Sequence, residues 1–177
     1  MLYQHAATLK GNGATEDSLA YFRDAQVFRN YTLLELPHHG ALVGYALDNR
    51  DYAVTIVRNF LYSSLMLLVW ERLQNSCDTQ LAAIAAKSIK EVRYHVRHAG
   101  DWLVRLGDGT SESHDKAQAA LNHLLPYTQE FWTGSDFESI VATSGVGVDV
   151  SGLREAWENQ LQQTLSEATL QIPSTTG

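Results

Sequence analysis

Glu91 and His95 sit four residues apart in the run Lys90-Glu91-Val92-Arg93-Tyr94-His95, where a carboxylate and an imidazole come closest to a metal-binding pattern. Helical bundles that hold two metal ions use inward carboxylates together with Glu-x-x-His pairs, spaced by three on one helix face. Here neither register supplies such a pair. Three residues before His95 stands Val92, and three residues after Glu91 stands Tyr94. A separation of four puts the two side chains on adjacent turns, where they hydrogen-bond or pair as ions. A neighbouring helix would have to bring further acids, yet the segment from Tyr52 to Trp70 contains no Asp, Glu or His. His95 is therefore expected at the edge of an apolar face, satisfied by Glu91. The pair reads as the remnant of a metal site, with a mononuclear ligand as the alternative. No metal ligand and no catalytic residue is assigned to the chain.

Other candidate chemistry is weaker. His5, His38, His39, His98, His114 and His123 lack ligand spacing apart from the adjacent pair His38-His39, which beside Pro37 reads as a solvated turn. The single cysteine, Cys77, has no partner for an internal disulfide and points to a reducing cytoplasm. Gly11-Asn12-Gly13, Gly107-Asp108-Gly109 and Gly145-Val146-Gly147 lack the preceding strand and third glycine of a dinucleotide loop, and read as helix ends. One charge pattern stands out. Lys87, Lys90, Arg93, Arg97, His98 and Arg105 fall on the polar side of one helix in a chain of net charge −7. Such a stripe is either a solvated face or a contact for an acidic partner subunit or the phosphates of a CoA thioester.

These residues need helices to position them, and the pattern supplies helices throughout. Met1 to Leu9 has helical composition and stops at Gly11-Asn12-Gly13; a further helical stretch is expected over Ser18–Leu36, ended by Pro37. The segment from Ala46 to Gln74 is apolar almost all round, which belongs in the middle of a bundle. Asp78 is an N-cap for a helix running to Gly107, whose apolar positions alternate by three and four. A helix over Ser113–Trp132 carries Pro126 as a kink, and Ser135 with Glu138 forms a capping box for a short helix ending at Ser144-Gly145. A last helix, Gly152 to Leu170, buries Leu153, Trp157, Leu161 and Leu165 before Pro173.

Long helices with short connections predict one all-α domain over residues 1–177, an antiparallel bundle. With 45% hydrophobic residues the chain can bury a sizeable core. Its negative charge argues against nucleic acid or anionic membrane as partner. No signal peptide is read at Met1-Leu2-Tyr3-Gln4-His5, and the longest uncharged apolar run, Asn59 to Trp70, falls short of the ~20 residues that span a bilayer.

The run from Gln80 to His95, continued by Trp102-Leu103-Val104-Arg105-Leu106-Gly107-Asp108-Gly109-Thr110, resembles the structural-subunit (PaaC) family of bacterial phenylacetyl-CoA 1,2-epoxidases. Leu19-Ala20-Tyr21-Phe22-Arg23-Asp24, Gly147-Val148-Asp149 and Leu153-Arg154-Glu155-Ala156-Trp157 extend the likeness in order along the chain. The resemblance implies a ferritin-like antiparallel helical bundle that pairs with a related catalytic subunit. That partner holds the di-iron centre, and electrons come from NADPH through a reductase with flavin and iron-sulfur groups. No cofactor is implied in this subunit, which the family uses non-catalytically. Lys87, Lys90, Arg93, Arg97 and Arg105 would then meet the partner or CoA. Relative to the family, two helices before the position of Met1 and a Gly- and His-rich tail after Gly177 are missing. An exposed apolar groove along Tyr52–Trp70 is therefore expected unless another chain fills it. Two rival expectations are a metal-binding oxidase in its own right and a helical homodimer.

Overall fold

The computed structural model describes residues 1–22, 30–36 and 52–173. In chain order the helices are α1 (Leu2–Lys10), α2 (Glu16–Ala20), α3 (Thr32–Glu35), α4 (Tyr52–Leu73), α5 (Thr79–Gly107), α6 (Ser111–Leu124), α7 (Asp136–Thr143) and α8 (Arg154–Glu167). Two 3₁₀ stretches, Leu125–Trp132 and Val150–Leu153, join α6 to α7 and lead into α8. No strand occurs among the described residues. The regular structure of the described residues is helical throughout, as the periodicity predicts.

Local signals explain where the helices begin. The Asp78 carboxylate accepts from the backbone N–H groups of Gln80 and Leu81, satisfying donors that the first turn of α5 leaves open. Ser135 and Glu138 close a reciprocal capping box on α7. Thr15 and Ser18 do the same for α2, a start that the expected Ser18–Leu36 helix misses. That expectation is corrected in another way too: α2 has ended by Tyr21, and the chain is helical again only over Thr32–Glu35 among the described residues. The expected break after α1 is present, with Gly11, Asn12 and Gly13 all at positive φ. The expected helix over Ser113–Trp132 divides. α6 ends at Leu124, and Pro126, which offers no N–H to a helical ladder, leads the chain into a 3₁₀ stretch.

The core forms around α4. Ile56, Val57, Phe60, Leu61 and Leu65 are fully buried, facing α5, α6 and α8. Burying each such side chain contributes about 1.5–3 kcal/mol. α4 is apolar and long enough to cross a membrane by length and composition, but 61% of its most apolar window is buried within the protein, as in a core helix. Across from it, Gly100 of α5 packs beside the Phe60 ring, and the indole N–H of Trp157 donates to the Leu61 carbonyl at 3.1 Å. Tyr31, Phe131, Trp132 and Trp157 stack edge to face around that end of the bundle. Leu153, Trp157, Leu161 and Leu165 are buried as the pattern of the last helix predicts.

Met66, Val69 and Leu73 of α4, with Tyr31 and with Phe137 and Val141 of α7, line an apolar surface groove of about 260 Å³. It lies at the C-terminal end of α4, whereas most of the length of Tyr52–Trp70, where an exposed groove is expected, is covered by α5, α6 and α8. α7 itself buries no residue.

One core residue departs from the pattern. Arg58, which in the sequence only bounds an apolar run, is 2% exposed, and its guanidinium donates to the Leu36 carbonyl at 2.7 Å. Burial pulls its pKa below the ordinary value. Burial first, and then the nearby Arg58 charge, hold His123 below its ordinary 6.5.

Candidate partner-contact face on helix α5

α5 runs for 29 residues, so its outer face offers a long surface set by one helix alone. Its inward side is fixed by Ile84, Ala85, Ile89, Val96, Ala99 and Leu103, all buried. The opposite side carries the stripe, and Lys87, Lys90, Arg93, Arg97 and Arg105 are all exposed. Two of the five are engaged within the chain. Arg93 forms an ion pair with Glu71 of α4 at 2.9 Å, and the Arg105 guanidinium lies 5.4 Å from the Trp102 ring centroid. Among the described residues, no ion pair engages Lys87, Lys90 or Arg97. Tyr94 and His98 stack in the middle of this face, their planes 22° apart.

Glu91 and His95 lie on the same outer surface. The imidazole Nε2 is 3.8 Å from the carboxylate, and the side chains are 81% and 55% exposed for Glu91 and His95. The sequence places His95 at the edge of the apolar face, from where it could point into the bundle; here it stands in solvent. The helix phase explains why. His95 sits about 80° from the middle of the buried stripe at 100° per residue, so a further element would be needed to cover it. α1 covers that flank only at the start of α5, where His5 bonds Asp78 at 2.8 Å. An exposed pair at this distance is worth little to stability.

That α1 anchor is the histidine–carboxylate contact shielded from solvent among the described residues, at 16% and 19% exposure. The bonds from Leu81 and His5 hold the Asp78 carboxyl below its ordinary value of 3.8. His114 lies 2.7 Å from the Gly107 carbonyl through Nδ1, and His123 packs against Tyr127. His38 and His39 lie outside the described residues. The exposed Cys77 thiol reaches the Ser144 carbonyl, tying the start of α5 to the end of α7.

A di-metal centre would need carboxylates and imidazoles converging inside the bundle. The buried polar side chains among the described residues are Arg58, Ser63, Ser64 and Thr128. No group of three or more His, Cys, Asp or Glu comes together among them. A cation, two serines and a threonine do not fit a pair of iron ions, so no step through such a centre is derived for this chain.

The chain matches the family model described as "Phenylacetic acid catabolic protein" over residues 1–177. It is also similar to one of the subunits of the 1,2-phenylacetyl-CoA epoxidase of Escherichia coli (strain K12). The two are 40% identical over 169 residues, which is 96% of this chain and 63% of the relative. The chain thus spans less than two thirds of the length of that relative.

Proposed function

The chain belongs to the phenylacetic acid catabolic protein family, and from that premise we propose that it is a non-catalytic structural subunit of a multicomponent phenylacetyl-CoA 1,2-epoxidase. The observation that carries the reading is the set of buried polar side chains among the described residues, a guanidinium and three hydroxyls where a catalytic sibling would present acids. Iron belongs, on this reading, to a partner subunit. NADPH, flavin and iron-sulfur groups belong to a reductase, and the setting is the cytoplasm of a cell degrading phenylacetate aerobically. What this chain contributes is buried interface and correct placement of the partner.

The outer face of α5 is the contact surface in this proposal. Lys87, Lys90 and Arg97 attract acidic side chains of the partner or the phosphates of CoA, while Arg93 and Arg105 are already steadied by Glu71 and Trp102. Because the cations are exposed, each contributes modestly, and three together change binding by roughly tenfold to a hundredfold.

The test is co-expression with the catalytic subunit, comparing the natural chain with a Lys87→Glu, Lys90→Glu, Arg97→Glu variant. The variant should fold normally, since all three side chains are exposed. It should bind the partner, or retain CoA on the complex, at least tenfold more weakly at low salt, with the difference shrinking as salt rises. Unchanged binding at every salt concentration would remove α5 from the interface.

A further inference from the structure

The chain beyond α8 is held in two different ways. As far as Leu170 the hold is tight. The Ala168 carbonyl packs on Gly107, the Thr169 hydroxyl donates to the Gly107 carbonyl at 3.1 Å, and the Leu170 N–H donates to Leu165 at 2.9 Å with its side chain buried. After Leu170 the hydrogen bonds come from one side chain. The Gln118 amide accepts from the Gln171 N–H at 2.8 Å and donates to the Gln171 carbonyl at 2.8 Å, and it also donates to Asn122 at 2.8 Å. A single side chain thus pairs with both backbone groups of one residue, as a neighbouring strand would. Pro173 has no N–H to add, and Ile172 is 48% exposed.

This short strap separates two hollows. On one side lies a surface hollow of about 560 Å³ with a mixed wall, Trp132 and Leu161 beside Arg154 and Glu158. On the other lies a polar hollow of about 500 Å³, lined by His114, Gln118 and Gln171. Asn122, Ile172 and Pro173 line both.

We propose that Gln171–Pro173 is a latch held shut by Gln118, whose release joins the two hollows into one amphipathic groove. The clamp reads backbone alone, and both bonds are exposed, so water competes for each of them. Two such bonds shift the closed-to-open ratio by roughly tenfold to a hundredfold. The opening is local, because Leu170 and everything before it keep their own anchors. The merged groove offers the half-buried Trp132 ring beside a row of amides, a surface for an apolar aromatic molecule with a polar end.

The full chain tests this with Gln118→Leu, which removes both bonds at similar volume, and Gln118→Glu, which keeps the acceptor and loses the donor. Amide exchange at Gln171 should quicken about tenfold in Gln118→Leu and by less in Gln118→Glu. Binding of anilinonaphthalene sulfonate, an aromatic sulfonate probe, should rise in the same order, while amides in α4 and α5 keep their protection. The latch is overturned if Gln171 exchanges as fast in the natural chain as in Gln118→Leu. It is equally overturned if probe binding stays flat once the amide is released, or if α4 and α5 lose protection together with the strap.

Discussion

Replacing Gly107 with alanine lowers the melting temperature by about 10 °C, the equivalent of about 3 kcal/mol in a chain of this size. The cause is a backbone contact. A Cβ on Gly107 would stand 2.1 Å from the Ala168 carbonyl oxygen, and that oxygen cannot swing away as the end of a long side chain can. α5 and the end of α8 must separate to admit the methyl group. Separation takes with it the Thr169 hydroxyl bond and the His114 contact, both made to the Gly107 carbonyl. Gly152→Ala is the control. A Cβ there meets nothing within 4 Å, so its effect should stay within about 0.5 kcal/mol. Thermal unfolding of the two variants side by side checks the claim, and equal melting temperatures would refute it.

Trp157→Ala should be at least as damaging, costing about 3–5 kcal/mol. The indole is 3% exposed, packs edge to face with Phe131 and Trp132, and donates to the Leu61 carbonyl of α4. Truncation leaves a cavity at the junction of α4, α8 and the 3₁₀ stretch after α6. Trp157→Phe separates the contributions, since it keeps most of the ring packing and loses the hydrogen bond. Its cost should fall near about 1 kcal/mol. Denaturant titrations of both variants measure the difference. A Trp157→Ala chain as stable as the natural one would show that this junction does not hold the bundle together.

Particular residues show what could be read in advance. α5 was legible because its apolar positions alternate by three and four over many turns, and because Asp78 and Gly107 mark its ends. The capping box at Ser135 and Glu138 was legible because the motif is local. α2 and α3 were not, since their short, weakly periodic turns depend on contacts such as Thr32 N–H with the distant Glu130 carboxylate. The 3₁₀ stretch was half legible: Pro126 announced a kink, but composition does not tell a kinked α-helix from a 3₁₀ path.

At the candidate site, the exposure of the five cations was legible from the helix period. His95 was not, because a residue at the margin of a buried stripe turns inward only if another element covers it. Arg58 was hidden for the opposite reason. A charge flanked by Val57 and Asn59 looks like a surface boundary, and only the tertiary fold brings the Leu36 carbonyl to meet it.

On the proposed function, this chain supports an oxygenase without holding its iron. Iron analysis of this chain purified alone, and of the complex recovered from cells expressing it with the catalytic subunit, tests that most directly. A stable complex with about two irons per catalytic subunit is expected, with no stoichiometric iron on this chain by itself. About two irons bound to this chain alone, and lost when Glu91 and His95 are replaced, would contradict it.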